Sequence, residues 1–101
     1  MIIHQREIGY AENYQLFFEA LVKAKAYLEK KYPEISVELM YSLAGQRGRA
    51  TIQTRYASLA DYERIDAEAD NDEEYAKLLE PLMSAAERPV VDQFYRVIQS
   101  P

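Results

Sequence analysis

Apolar and polar residues alternate most regularly in the middle of the chain. From Ile35 to Ala44 every second residue is large and apolar, and the alternation resumes in RATIQTRYA after the segment GQRG. A period of two is typical of β-strands, because successive side chains point to opposite faces of a sheet. Gly45 and Gly48 allow the backbone to reverse direction between the two strands. The pattern therefore predicts a β-hairpin.

Two other segments have apolar residues three and four positions apart, which is the spacing of an amphipathic helix. The first runs from Asn13, a candidate N-cap, to Tyr32. Lys30 and Lys31 suit the negative end of the helix dipole, and Pro33 disfavours helical geometry at the residue before it. The apolar stripe of this predicted helix consists of Phe17, Phe18, Leu21, Val22, Ala24 and Leu28.

Capping signals precede the second helical segment. Ser58 has the spacing of a capping box and predicts a short helix that ends at Ile65. Asp70 and Glu73 repeat the signal and predict the start of a second long helix, in which Pro81 removes one backbone hydrogen bond and is expected to bend the axis. Its apolar stripe consists of Tyr75, Leu78, Leu79, Leu82, Met83 and Ala86.

Shorter β-compatible stretches open and close the chain, at Ile2 to Ile8 and Pro89 to Ile98. With the short helix set aside, the order is βαββαβ. This order predicts one α+β domain over residues 1–101 with a ferredoxin-like fold, an antiparallel sheet carrying two helices on one face.

The last strand carries apolar residues on both of its sides, and Met40 does the same in the second strand. A sheet with one face in water should instead alternate cleanly. No further element of the chain remains to cover the second face. We therefore expect a homodimer in which two sheets face each other.

Composition narrows the possible partners and cofactors. A net charge of −5 disfavours nucleic acid and anionic membranes, so neither is expected as a partner. The chain has no cysteine, which excludes disulfides and cysteine-ligated metals and agrees with a cytoplasmic location. No apolar run is long enough to span a bilayer, and the segment MIIHQRE has no signal-peptide pattern.

Short motifs along most of the chain resemble the dimeric α/β-barrel superfamily, and in particular its NIPSNAP-like group and neighbouring small families. They are Arg6 with Gly9, Phe17 with Phe18, Gly45 with Gly48, the stretch YASLADYERI and the stretch FYRVI. The resemblance implies two ferredoxin-like protomers with their sheets together. Enzymatic members include cofactor-independent monooxygenases that use particular polar, His or Trp residues. This chain has no Trp and a single His, and His4 is a poor haem ligand, so no cofactor is expected.

Two motif-like stretches are better explained without a ligand. The run DAEADNDEE begins like an EF-hand loop, but Asn71 replaces the required glycine and Lys77 the bidentate Glu, so no metal site is expected. RGRATIQTRY occupies the place of an RNA-binding strand, yet Arg49 and Thr51 stand where aromatic residues should stack on bases.

Polar residues on the predicted strands are the candidate ligand-binding residues. Their side chains can orient a ligand in a partly desolvated space, and those of arginine favour anionic or enol-like groups. The candidates are His4, Arg6, Tyr41, Gln53, Arg55, Tyr56 and Tyr95. The alternative is structural: Arg6 and Arg55 form ion pairs with Glu7, Glu38 or Asp92.

Three functions follow from these patterns. The first is binding of a small, partly apolar organic molecule between the helices and the sheet, with Arg6, Arg55 and Tyr95 as polar contacts. The second is a cofactor-independent monooxygenase or isomerase acting on an activated aromatic or enolisable substrate. The third is a non-enzymatic dimeric interaction module, which predicts no enclosed pocket.

Overall fold

The computed structural model describes residues 1–10, 14–44 and 48–98. The predicted N-cap Asn13 and the glycine at position 45 lie outside these ranges. The described elements are β1 (Ile2–Tyr10), α1 (Tyr14–Lys31), β2 (Ser36–Tyr41), β3 (Arg49–Tyr56), α2 (Leu59–Asp70), α3 (Glu73–Ala85) and β4 (Ala86–Arg96).

The four strands form one antiparallel sheet in the order β2-β3-β1-β4. Residues with even numbers in β1 and β3 face the helices: Ile8 and Ala50 are buried against Phe17 and Leu82, and Ile2 and Tyr56 are buried with Ile65. The predicted ferredoxin-like α+β fold is confirmed, with all three helices on one face of the sheet.

Helix α1 follows its predicted stripe with one exception. Phe17 is fully buried and Leu21 and Ala24 are nearly so, whereas Val22 is 59% exposed on the outer side of the helix. The prediction that Val22 widens the buried stripe is therefore wrong. A residue one position after Leu21 is rotated by about 100° around the helix axis.

The region after β3 contains two full helices. Ser58 is the N-cap of α2, and its hydroxyl accepts a hydrogen bond from the backbone N–H of Asp61 at 3.2 Å, as predicted. The helix does not end at Ile65 but continues to Asp70, since nothing in the intervening sequence blocks it. The second cap is also shifted: Asp72, and not Asp70, caps α3.

The hairpin is held to the end of β1. The backbone N–H of Tyr10 donates to the carbonyl of Gly48 at 2.8 Å. Gly48 has a φ of 77°, and a Cβ atom there would lie 3.2 Å from the carbonyl oxygen of Tyr10. Only glycine fits this position without strain.

The face of the sheet away from the helices carries both polar and apolar side chains. Odd-numbered residues of β1 and β3 lie there, with their cross-strand partners in β2 and β4. Met40, Val91 and Tyr95 on this open face are 39%, 37% and 46% exposed. None of the helices in the described ranges is long and apolar enough to cross a membrane.

Candidate functional site

A cavity of about 290 Å³ lies between α1, α3 and the helix-covered face of the sheet. Its volume is close to the lower end of the roughly 300–1,000 Å³ typical of small-molecule sites. Most of its wall is apolar, and the main contributors are Leu21, Leu28, Leu39, Ile52, Leu79 and Leu82. The cavity is therefore suited to a small apolar molecule.

The helical spacing of the sequence explains why this wall is apolar. Leu21, Ala24 and Leu28 follow one stripe of α1, while Leu79, Leu82 and Met83 follow one stripe of α3. Both stripes face the sheet at Ile8, Leu39 and Ile52. The space among the three surfaces is the cavity.

One part of the wall is polar and is formed by Arg6 of β1 and Asp92 of β4. These residues are paired across the two strands. The Arg6 guanidinium donates to both carboxylate oxygens of Asp92, from Nε at 2.6 Å and from Nη2 at 3.3 Å. Such a two-point pair fixes the orientation of both groups.

His4 lies beside this pair, on the same face of β1. Its Nε2 atom is 2.9 Å from Oδ1 of Asp92. The hydrogen bond from Arg6, followed by that from His4, lowers the pKa of Asp92. Asp92 is therefore ionised at neutral pH, and its carboxylate binds the side chains of both Arg6 and His4.

Aromatic rings enclose His4. Its imidazole stacks on Phe94 at a centroid distance of 4.6 Å and meets the edge of Tyr62 at 5.9 Å. The ring of Tyr62 in turn contacts Tyr56 at 5.3 Å. Only 14% of the His4 side chain is exposed. This packing restricts the histidine ring to one orientation.

Tyr56 and Tyr75 are among the tyrosines of this region whose hydroxyl groups are perturbed by burial. Burial raises the pKa of Tyr56 to about 12. Burial also raises the pKa of Tyr75, which lies in the cavity wall. Both phenols are therefore neutral at physiological pH, and the hydroxyl of Tyr75 is available as a hydrogen-bond donor or acceptor.

The second cation of the cavity wall is Lys25 of α1. Its Nζ atom donates to Glu29 at 2.8 Å and to the carbonyl of Val37 at 2.7 Å. The other carboxylate oxygen of Glu29 accepts the backbone N–H of Val37 at 3.0 Å. The two α1 side chains thus bind both backbone groups of one residue in the edge strand β2.

The seven predicted ligand-binding residues do not form one cluster. Arg6 lines the cavity and His4 contacts the same carboxylate. Tyr56 is buried in the neighbouring core cluster, and Tyr41 lies at the end of β2 beside Phe18, 59% exposed. These four share the helix-covered face.

Gln53, Arg55 and Tyr95 lie on the open face of the sheet. Gln53 and Arg55 are odd-numbered residues of β3, and Tyr95 is paired with Ile3 across β1 and β4. The Tyr95 hydroxyl donates to Gln93, and Arg55 Nη1 contacts the sulfur of Met1 at 3.8 Å. Arg55 and Tyr95 are therefore not polar contacts of the cavity described above, and the register of the strands is the reason.

The cavity also includes polar residues that sequence reasoning did not select. The sequence predicts Asp92 only as an ion-pair partner and Tyr75 only as part of the apolar stripe of the second long helix. The four-residue spacing of Tyr75 and Leu79 on one helical stripe was the signal in the sequence that could have placed Tyr75 in the cavity wall. The pairing of Asp92 with Arg6 depends on the β1–β4 register, which cannot be read from either strand alone.

The described residues contain no group of three or more His, Asp or Glu side chains arranged to hold a metal ion. Much of the acidic run considered for calcium is helical: Asp66 to Asp70 belong to α2, and Glu73 and Glu74 to α3.

Comparison with known proteins gives structural relatives but no sequence family. No family model and no curated protein sequence matches the chain. An uncharacterized NIPSNAP domain protein from Burkholderia xenovorans superposes with a TM-score of 0.82 at 9% identity, covering 97% of this chain and 95% of that one. A candidate antibiotic biosynthesis monooxygenase from Nitrosomonas europaea has a TM-score of 0.76 at 13% identity, with coverage of 98% and 100%.

A third solved structure is a mutant of SnoaB, a cofactor-independent oxygenase from Streptomyces nogalater. Its TM-score is 0.73 at 9% identity, and the match covers 98% of this chain and 94% of that one. Identities this low establish the fold alone. The chain is an α+β protein of ferredoxin-like fold whose structural neighbours include NIPSNAP domain proteins and antibiotic biosynthesis monooxygenases, as its sequence resemblance predicts.

Proposed function

We propose that this protein is a homodimer in which each subunit binds a small, largely apolar organic molecule in the cavity between α1, α3 and the sheet. The observation that carries the proposal is the cavity itself, about 290 Å³ with an apolar wall and one polar side at Arg6 and Asp92. Apolar walls supply affinity, and a few fixed polar groups orient the ligand.

A cavity-filling substitution tests this proposal. Ala24 is buried in the cavity wall, so Ala24→Leu adds three carbon atoms that would occupy roughly a third of the space, at about 30 Å³ each. Ligands found in a thermal-shift screen of small apolar compounds should bind this variant at least about tenfold more weakly, because they clash with the new side chain. Affinity is measured by isothermal titration calorimetry.

Ala26→Leu is the matched control, because Ala26 is exposed on the same helix. It should leave affinity unchanged. If Ala24→Leu folds and binds the same ligands as tightly as the unmodified protein, the cavity is not their binding site.

A second candidate function is cofactor-independent oxidation or isomerisation of an activated aromatic or enolisable substrate. The observation that favours it is the His4–Asp92 contact. When His4 Nε2 donates its hydrogen to Asp92, Nδ1 carries the lone pair and can accept a proton from an acidic phenol or enol. SnoaB, whose fold is similar, is described as a cofactor-independent oxygenase, which supports this candidate through the fold alone.

The enzymatic candidate is tested by oxygen uptake with a panel of phenols and quinols. Activity above background that falls by about two orders of magnitude in His4→Gln would support a proton-transfer role. Turnover at the background rate for the whole panel would count against it.

The third candidate is a dimeric interaction module that uses only the open face of the sheet. The exposed Met40, Val91 and Tyr95 favour association through this face. This candidate predicts that no small apolar molecule stabilises the protein, and the same thermal-shift screen decides between it and ligand binding.

A further inference from the structure

We propose that the cavity selects electrically neutral, mainly aliphatic molecules of about ten non-hydrogen atoms that carry a hydrogen-bonding group at one end, and that it excludes carboxylates. This inference rests on the proposed ligand-binding function and names its ligand class. It departs from the expectation, drawn from the arginines in the sequence, that the ligand is anionic.

Charge pairing in the cavity wall disfavours a negatively charged ligand. The cavity wall contains two cationic side chains, Arg6 and Lys25. Arg6 is bound to both carboxylate oxygens of Asp92, and Lys25 is 2.8 Å from Glu29. Each cation of the wall therefore already has its own carboxylate. A negatively charged ligand finds no unpaired charge to neutralise it.

A carboxylate ligand would also compete with Asp92 for Arg6. A carboxylate bound to the remaining N–H groups of Arg6 would lie close to the carboxylate of Asp92 and be repelled by it. Displacing Asp92 from Arg6 would instead leave that charge with His4 as its partner. Because the side chains of Arg6 and Asp92 are 45% and 38% exposed, water offsets part of the cost of separating them. The hydrogen bond with Asp92 raises the pKa of Arg6, and the nearby Asp66 acts in the same direction, so the surroundings are already rich in negative charge.

Hydrogen-bonding capacity remains on the polar side of the cavity. The guanidinium of Arg6 has five N–H hydrogens, and two of its nitrogens are used by Asp92. Remaining N–H groups and the hydroxyl of Tyr75 can bind a neutral carbonyl, amide or hydroxyl without disturbing the ion pair. A neutral polar end is therefore compatible with this side of the cavity.

The volume of the cavity and the chemistry of its wall suit an aliphatic chain. About 290 Å³ corresponds to about ten atoms, each with roughly the 30 Å³ volume of a water molecule. The wall is made chiefly of Leu, Ile and Val side chains; its aromatic member Tyr75 stacks on Tyr27 at 5.8 Å. A flexible aliphatic chain can adapt to such a wall.

Octanamide and octanoate provide a direct test, because both have ten non-hydrogen atoms and differ at pH 7 in charge. We expect octanamide to bind the unmodified protein at least about tenfold more tightly by isothermal titration calorimetry, because a buried carboxylate without a partner is costly. Equal or tighter binding of octanoate would overturn the inference while leaving ligand binding in place. If neither compound binds but an anionic compound from the wider screen does, the inference is also overturned. Failure of every compound would overturn the proposed function itself.

Asp92→Asn provides the second test, since it removes the partner charge of Arg6 with little change in size. Octanoate should then bind at least about tenfold more tightly than to the unmodified protein, while the affinity for octanamide changes less than about threefold. Asp61→Asn, in the first turn of α2 and outside the cavity wall, is the control and should change neither affinity. No gain in octanoate binding by a folded Asp92→Asn protein would contradict the charge-pairing argument. The comparison in the unmodified protein needs no variant, so the inference can fail even if Asp92→Asn does not fold.

Discussion

At the scale of single residues, the carboxylate of Asp72 connects the start of α3 to the end of α1. It accepts hydrogen bonds from the backbone N–H of Tyr75 at 3.1 Å, from Lys31 at 2.7 Å and from the Tyr27 hydroxyl at 2.6 Å. The Lys31 bond is the main cause that lowers the pKa of Asp72 far below its usual range, and Tyr27 and Tyr75 add to it. One side chain thus serves as helix cap and as tertiary contact.

This arrangement predicts a pH-dependent effect of Asp72→Asn. A carboxyl whose pKa is depressed in the folded state contributes stability above its unfolded pKa of about 4, and this contribution is lost as the pH falls below that value. The substitution should therefore lower the melting temperature by roughly 5 °C at pH 7, with a gap that narrows progressively below about pH 4. Thermal unfolding followed by circular dichroism at several pH values measures the gap.

Asp70→Asn is the matched control, because Asp70 is an exposed acid two positions earlier and the cap expected from the sequence. It should shift the melting temperature by no more than about 1 °C at either pH. An equal effect of the two substitutions, or a gap that widens in acid, would contradict the role of Asp72.

Only some residues of the candidate site could be predicted from the sequence. Arg6 and His4 could be chosen from the sequence as candidate ligand-binding residues, because ionisable side chains within a strand are unusual. Arg55 satisfied the same criterion, yet it lies on the open face. The side of the sheet on which a residue lies depends on its parity relative to the buried positions, and β1 is too polar to reveal that parity by itself.

At the scale of elements, the edge strand β2 is bound by two side chains of α1. Lys25 and Glu29 bind the carbonyl and the N–H of Val37, so this part of the edge has partners other than water. A covered strand edge is less able to pair with another chain. The Lys25–Glu29 ion pair leaves Lys25 with no unpaired charge in the cavity wall. The same two side chains therefore also anchor α1 to the sheet.

Removing Glu29 tests this anchor. In Glu29→Ala the backbone N–H of Val37 loses its acceptor, so its hydrogen exchange should accelerate by about tenfold or more, measured by NMR. Glu19→Ala, an exposed position on the same helix, should leave the exchange of Val37 unchanged. Unaltered protection of Val37 in Glu29→Ala would show that the contact does not hold the edge.

Element boundaries were less predictable than element order. The order followed from periodicity, since the helical and strand spacings are distinct over long segments. The end of α2 and the start of α3 were not predictable, because the acidic run between them offers several residues able to cap a helix. Which acid becomes the cap was decided by Lys31 and Tyr27 of α1, which are distant in sequence from Asp72.

At the scale of the whole molecule, the sheet separates two surfaces with different proposed roles. The helix-covered face holds the cavity, and the open face carries exposed apolar residues together with the Glu7–Arg49 ion pair at 3.2 Å. The sequence predicted the need to cover this second face from the apolar residues on both sides of β4. It also predicted ligand binding between the helices and the sheet, but not the volume of the cavity there, which depends on the distance between α1, α3 and the sheet.

The open face leads to the prediction that the protein is a dimer. Light scattering at micromolar concentration should give a mass of twice the 11.7 kDa of one chain. Val91→Lys introduces a charge on the open face, where Val91 is 37% exposed, so it should disfavour the sheet-to-sheet contact. Within the subunit the new lysine lies opposite Glu7 on the neighbouring strand, which has the opposite charge. We expect this variant to be a folded monomer.

Val22→Lys is the matched control, because Val22 is also exposed but lies on α1, on the outer side of the helix layer. It should remain a dimer, since a cation at this position is in contact with water in the monomer and in the dimer. A monomeric mass for the unmodified protein would overturn the dimer prediction. A dimer that survives Val91→Lys but dissociates in Val22→Lys would instead place the interface on the helices, and the apolar open face would then need another partner.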